Sequence, residues 1–372
     1  MSFCLDIPVT IVNGRGCVRA RLGEFVHEKH ALIVTGRRGA AACGALGDVT
    51  DVLTSLGTAY TVFDKASENP PLSMTYEGGQ LAASVGADLV IGIGGGSAMD
   101  AAKAIAAFAA NPGIGEMDLY DAAKRTVPSL PLLLLPTTSG TGSEANPYAV
   151  LTLPDGVHKK TFTARCSWAR AALVDPEYTA SLPRETTIST ALDAFAHAME
   201  SYLSPKSNDT SRLLAVFAGR GIWDVLTEFP FEFTAAHREV LCSASCAAGA
   251  AISITGTGFP HPLGYSLTLL YGIPHGRACA AFHGDYIEYN LRTEEGERRM
   301  NEFAAAIGAK VSLMKEYLPA LAAVDLSLSD EEITRCVDLI KGAKNYVNSP
   351  YVLNESEMLD IYKAHFGGKN HA

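Results

Sequence analysis

The chain has 372 residues, room for about two domains of ordinary size, and 48% of them are hydrophobic, enough for sizeable cores. No run approaches ~18 consecutive apolar residues, which excludes a membrane-spanning helix. A net charge of −10 without a basic stripe excludes a general nucleic-acid binder.

Residues 1–6 lack the basic and apolar regions of a secretory signal, so a cytoplasmic protein is expected. The first half then alternates short β-like runs with helical stretches. Strands are predicted at 8–12, 31–35, 60–63, 88–93 and 132–135, with a helix over 40–56. The strand runs are continuously apolar rather than alternating, which marks a parallel sheet covered on both faces. The fold class is therefore α/β: an N-terminal doubly wound parallel-sheet domain suited to a dinucleotide. A β-rich patch follows at 148–153 and around 160–174. After Asp175-Pro176 nearly everything reads helical, including 186–203, 211–227, 236–254, 295–307 and 330–343. The expected division is 1–178 for the α/β domain and 179–372 for an all-helical, metal-binding domain. The eight cysteines form no CxxC pair and read as reduced core thiols.

Two loops point to a cofactor. Gly94-Gly95-Gly96-Ser97 joins the fourth strand to a helix. Glycines let the backbone approach a phosphate, and a helix N-terminus attracts its charge. Ser97 is placed to cap that helix and to donate to phosphate. Pro136-Thr137-Thr138-Ser139-Gly140-Thr141-Gly142-Ser143 follows the fifth strand, at the sheet's carboxyl edge, where hydroxyls meet ligands. After the second strand the chain reads Gly36-Arg37-Arg38. The absence of an acid and the two arginines tilt the expectation slightly toward NADP.

The helical half carries the chemistry. Asp193 and His197, at i and i+4, project from one helix face. His261 and His275 would complete a three-imidazole, one-carboxylate set suited to a divalent transition metal with room for substrate.

With Asp100, Lys103, Asp175-Pro176, Leu182-Pro183, Asp193-Ala194-Phe195-Ala196-His197-Ala198-Met199-Glu200 and Pro274-His275-Gly276 added, the chain resembles the iron-containing (group III) alcohol dehydrogenases, within the dehydroquinate synthase-like fold. The resemblance spans nearly the whole chain. It implies a metal held by Asp193, His197, His261 and His275, usually Fe2+ and alternatively Zn2+. It implies NAD(H) or NADP(H) touched by Asn69, Gly95, Gly96, Ser97, Thr137, Thr138 and Lys159, and a homodimer. Many relatives carry a further histidine four residues after the third ligand. Here that position is Tyr265, a candidate proton carrier beside a ribose hydroxyl or a bound water.

The expected reaction is hydride exchange between a small primary alcohol and its aldehyde, run as an aldehyde reductase. The segment around Tyr265 also looks similar to relatives acting on sulfoacetaldehyde or phosphonoacetaldehyde. An anionic two-carbon aldehyde is therefore the alternative, with Lys160, Arg165 and Arg170 as groups to hold it. A dehydroquinate synthase-like lyase and a non-catalytic dinucleotide-binding regulator are the remaining readings. No nucleic-acid or membrane partner is expected.

Overall fold

Runs such as Leu32-Ile33-Val34 and Leu132-Leu133-Leu134-Leu135 offer no polar face to water, so each strand needs apolar cover on both sides. The structure, a computed structural model, describes residues 6–229 and 232–368. It places these runs inside a six-stranded parallel sheet. The strands are β1 (Thr10–Asn13), β2 (His30–Thr35), β3 (Ala59–Phe63), β4 (Leu89–Gly94), β5 (Leu132–Pro136) and β8 (Ala171–Val174), in spatial order β1-β8-β5-β4-β2-β3. β6 (Ala149–Thr152) and β7 (Lys159–Phe162) form a separate antiparallel ribbon. Strand β8 is only Ala-Ala-Leu-Val, at the end of the β-rich patch expected around 160–174, and it fills the gap between β1 and β5.

Successive side chains along a strand point to opposite faces. Ile33, Ile91, Ile93, Leu133 and Leu135 pack on one side with Val49 and Leu53. Leu32, Val34, Val90 and Leu134 pack on the other with Met99, Ala102 and Ile105. Five helices supply this cover: α1 (Cys17–Arg21), α2 (Gly39–Ala42), α3 (Ala45–Leu56), α4 (Leu72–Ser84) and α5 (Gly96–Ala110). The helix expected over 40–56 is two pieces, α2 (Gly39–Ala42) and α3. The break falls at Gly44, whose φ of 87° lies in the left-handed region, outside any α-helix.

The order β3-β2-β4 carries the functional consequence. The chain leaves β2 for β3 on one side and returns as β4 on the other, so the sheet changes winding direction between β2 and β4. Doubly wound sheets bind ligands at the carboxyl ends beside such a switch. Register adds the second loop: Gly94 at the end of β4 pairs with Pro136 at the end of β5. The glycine turn and the hydroxyl loop are therefore side by side.

From α6 onward the chain is helical: α6 (Arg184–Leu203), α7 (Asp209–Glu228), α8 (Ala235–Thr255), α9 (Pro260–Tyr271), α10 (His275–Ala280), α11 (His283–Asn290), α12 (Glu294–Ala306), α13 (Val311–Ala322), α14 (Asp330–Ile340) and α15 (Glu355–Phe366). Helix starts carry their own signals. Asn208, Ser329 and Asn354 each accept a hydrogen bond from the backbone N–H three residues on. Among the described residues no single helix is long and apolar enough to cross a membrane.

The chain divides into two compact units. One comprises residues 6–184 together with 232–249; the other comprises 185–229 and 250–368. Residues 235–249 of α8 thus belong with the α/β unit. There Cys242 Sγ lies 3.1 Å from Ser139 Oγ, and Arg238 donates to the Thr179 and Leu182 carbonyls. In the helical unit Phe195 lies 6.0 Å from both Trp223 and Phe303, ring centre to ring centre. The seven cysteines among the described residues form no disulfide.

Candidate metal centre and cofactor turn

Helix α6 places Asp193, His197 and Glu200 at i, i+4 and i+7, on one buried face. Helix α9 contributes His261 from its first turn, and α10 begins at His275. The Nε2 atoms of His197, His261 and His275 lie 3.8, 3.6 and 3.7 Å from Asp193 Oδ1. The Nε2 atoms of His261 and His197 are 2.9 Å apart. The structure thus brings together all four residues singled out as ligands. Asp193 Oδ1 is buried and has no hydrogen-bond partner among the described residues. A carboxylate oxygen so placed, ringed by imidazole nitrogens, fits a cation that all of them face.

The electrostatics agree. Burial works to raise the Asp193 carboxyl, but His197, His275 and His261 together outweigh it and hold it below the usual carboxylate range. His261 is pushed up to about 10: burial opposes its charge, and Glu200 and Asp193 overcome that. A metal would replace this proton as the positive partner.

Glu200 is a residue the sequence left without a role. Fully buried, it has both carboxylate oxygens 2.9 Å from His261 Nδ1, and it accepts from the Gly258 N–H. The contact fixes the ring and turns Nε2 toward Asp193, the usual task of a carboxylate behind a metal-binding histidine. Its position seven residues after Asp193 was the available signal. Glu200→Gln keeps the shape but sets an amide N–H2 against a neighbouring N–H. Metal affinity is expected to fall about 10–100-fold, read by competition with a chelator; unchanged affinity would remove Glu200 from this role.

Tyr265 lies one turn beyond His261. Its ring stacks on His275, centroids 5.9 Å apart and planes 22° from parallel. His275 is the most open of the four, its side chain 32% exposed against 4–6% for the other three residues. The approach to the cluster is therefore on the His275 and Tyr265 side.

His283 is fully buried, and neither ring nitrogen has a hydrogen-bond partner among the described residues. Burial first, then repulsion from His261, pushes its pKa down to about 3. An unfolded histidine protonates near ~6.5. Between those values the unfolded chain binds more protons, so stability is full above about pH 6.5 and falls as pH drops toward 3. The slope from this residue is at most roughly 1.4 kcal/mol per pH unit. His283→Leu is expected to flatten that part of the acid response in urea melts across the window; an unaltered slope would count against it.

In the α/β unit, Gly95, Gly96 and Ser97 form the partly exposed start of α5. Ser97 does not cap the helix. Gly95 occupies the cap position, because the helix starts at Gly96, two residues earlier than a Ser97 cap requires, and among the described residues no side chain closes the end. The uncapped end suits an anion. A Cβ on Gly96 would lie 2.5 Å from Thr141 Cγ2, and one on Gly95 would lie 3.2 Å from Thr138 Oγ1. The glycines thus allow the hydroxyl loop to close against the turn. Thr137 is buried and its N–H donates to the Gly94 carbonyl at 2.9 Å.

Asp100 and Lys103 brace this arrangement. Buried Lys103 donates to the Ser143 carbonyl and hydroxyl at 2.8 and 2.7 Å, and Ser143 Oγ donates to Asp100 at 2.6 Å. Asn69, with a φ of 52°, offers its carbonyl to Thr152 Oγ1 at 2.9 Å, and Thr152 pairs with Lys159 across the ribbon. The structure thus brings Asn69 and Lys159 to one place. Arg37 and Arg38 are exposed. The groups suggested for an anionic substrate have internal partners. Arg170 binds Glu28 at 2.7 Å, Arg165 pairs with Asp6, and Lys160 lies over the Tyr120 ring at 4.3 Å.

Comparison with known proteins decides the family. The pattern of "Iron-containing alcohol dehydrogenase" matches residues 8–176, and that of "Fe-containing alcohol dehydrogenase family, C-terminal" matches residues 187–366. The solved iron-containing alcohol dehydrogenase of Thermotoga maritima superimposes with a TM-score of 0.89 and 32% identity, over 98% of this chain and 99% of that one. The chain belongs to the iron-containing alcohol dehydrogenase family. This iron-containing alcohol dehydrogenase homologue is an oxidoreductase, with the parallel-sheet and helical halves of that family. Its other relatives include a sulfoacetaldehyde reductase of Bilophila wadsworthia, 29% identical over 98% of this chain and 100% of that protein. The sulfoacetaldehyde reductase of Bifidobacterium kashiwanohense, solved with NAD+, superimposes with a TM-score of 0.87 and 28% identity over 98% of this chain and 99% of that one.

Proposed function

We propose that the protein is a metal-dependent, NAD(H)-linked reductase of a small aldehyde, with Fe2+ held by Asp193, His197, His261 and His275. The observation that carries this reading is the convergence of three imidazoles on one orphaned, buried carboxylate oxygen. When bound, the cation supplies Lewis acidity at the substrate oxygen, and the nicotinamide supplies the hydride. The protein's own part is placement. Glu200 orients His261, the buried faces of Asp193 and His197 keep water away, and the His275 side admits substrate. Gly95, Gly96 and Ser97 would take the pyrophosphate at the α5 N-terminus, and Thr137, Thr138, Asn69 and Lys159 the remainder of the dinucleotide. Tyr265 Oη, beside His275, is assigned the proton delivered to the product oxygen.

An acidic two-carbon aldehyde is the second reading for substrate, supported by end-to-end similarity to sulfoacetaldehyde reductases. Arg165 and Arg170 are paired with Asp6 and Glu28, which lowers the charge they offer such an anion, and Lys160 lies over the Tyr120 ring. The reading includes a homodimer, which rests on the family alone and is measured by sedimentation. The deciding experiment is elemental analysis of anaerobically purified protein, joined to NADH and NADPH oxidation over neutral and sulfonated aldehydes. Protein that takes up no divalent metal, or reduces no aldehyde with either nucleotide, overturns the reading.

A further inference from the structure

Cys279 is not among the ligands the family resemblance assigns, yet it sits with them. It lies at i+4 from His275, one turn along the same face of α10. Its Sγ is 3.7 Å from His275 Nδ1 and 3.8 Å from Nε2. One donor atom each of Asp193, His261, His275 and Cys279 all fall within 4.8 Å of one another. The sulfur is fully buried.

The backbone is built to put it there. Gly264, three residues after His261 in α9, faces the α10 chain. A Cβ at that position would lie 2.9 Å from the Cys279 nitrogen and 3.0 Å from Sγ. Any larger residue would push α10, and the sulfur, away. A second observation is independent of the cysteine: Oδ1 of Asp193, a residue 3% exposed, belongs to the same group and has no hydrogen-bond partner among the described residues.

Donor separations test the idea. Neighbouring donors to one five-coordinate ion, bound at ~2.1 Å by N or O and ~2.3 Å by S, lie about 3.0–3.8 Å apart. Here Asp193 Oδ1 to His261 Nε2 is 3.6 Å, Asp193 Oδ1 to His275 Nε2 is 3.7 Å and Cys279 Sγ to the same His275 nitrogen is 3.8 Å. We propose that Cys279 Sγ is a fifth protein donor to the metal, alongside Asp193, His197, His261 and His275. This inference rests on the metal reading above. As the sulfur–metal bond forms, the thiol proton leaves to solvent, so no oxidant or reductant is involved. A thiolate softens the donor set and shifts its preference toward Zn2+ relative to Fe2+. It also adds a second negative charge beside Asp193, which lowers the residual charge felt by a substrate oxygen.

The test is X-ray absorption of the full chain loaded with one Zn2+ per protomer. A sulfur shell at about 2.3 Å is expected beside the nitrogen and oxygen shell at about 2.0–2.1 Å. Cys279→Ala is expected to lose the sulfur shell and keep the other. With Co2+ loaded instead, the wild type is expected to show a sulfur-to-cobalt charge-transfer band in the near ultraviolet, absent from the variant. A wild-type shell of nitrogen and oxygen only overturns the proposal, and decides the matter even where the variant does not fold. A sulfur shell that survives Cys279→Ala overturns it too. Failure to bind any metal overturns the metal reading itself and this inference with it.

Discussion

Asp193→Asn is expected to remove bound metal and turnover together while leaving the fold in place. The exchange is isosteric, so helix α6 has no packing reason to move. What changes is the centre of the cluster. Asp193 Oδ1 stands 3.6–3.8 Å from three imidazole Nε2 atoms, which hold the carboxyl in its ionised form. An amide brings no charge to a divalent ion. Losses of outer-shell partners cost about 10–100-fold in metal affinity, so losing this direct donor is expected to cost more than about a hundredfold. Metal content by elemental analysis, aldehyde-dependent NADH oxidation and circular dichroism separate the outcomes. A folded Asp193→Asn protein with one metal per chain and full activity would defeat the assignment.

Gly276→Ala is the second large effect, and it touches no donor atom. A Cβ on Gly276 would lie 1.8 Å from the Ser189 carbonyl oxygen, 2.7 Å from its carbon and 3.1 Å from Asp193 Cβ. Ser189 belongs to the backbone of α6 and cannot swing aside as a side chain would. Helix α10 has to lift, and His275, the residue before the glycine, moves with it. Overpacking of this kind costs typically about 1–3 kcal/mol, and more where only backbone can yield. Both stability in urea and metal affinity are expected to fall although Asp193, His197, His261 and His275 are all present. Wild-type values for both would show that this glycine does not set the spacing of α6 and α10.

Much of the site was legible because its signals are local. Asp193 and His197 share one helix face by simple periodicity, and Pro274-His275-Gly276 is one of the short motifs that carry the family resemblance. Glu200 follows the same periodicity but looked like one more acid in a helix. Only its burial and its contact with His261 Nδ1 give it a task. Cys279 looked like a core thiol, and it is one by burial; its nearness to Asp193 and His261 comes from the crossing of α9 and α10 at Gly264. Ser97 was misjudged by two positions, since the cap falls at Gly95 and cap placement depends on backbone angles that residue type only biases. Arg165 and Arg170 read as free cations until Asp6 and Glu28, distant in sequence, were brought to them.

Composition and periodicity by themselves determined the broad outcome: a buried parallel sheet, a helical half, and Asp193 and His197 on one helix face. These follow from interactions between residues a few positions apart, which a linear reading contains. Tertiary structure alone decided the strand order that sets Gly94 beside Pro136, the insertion of β8, and which groups surround Asp193 Oδ1. Those depend on contacts between segments tens of residues apart, and such contacts are selected by packing and burial over the whole chain, not by any short stretch of it.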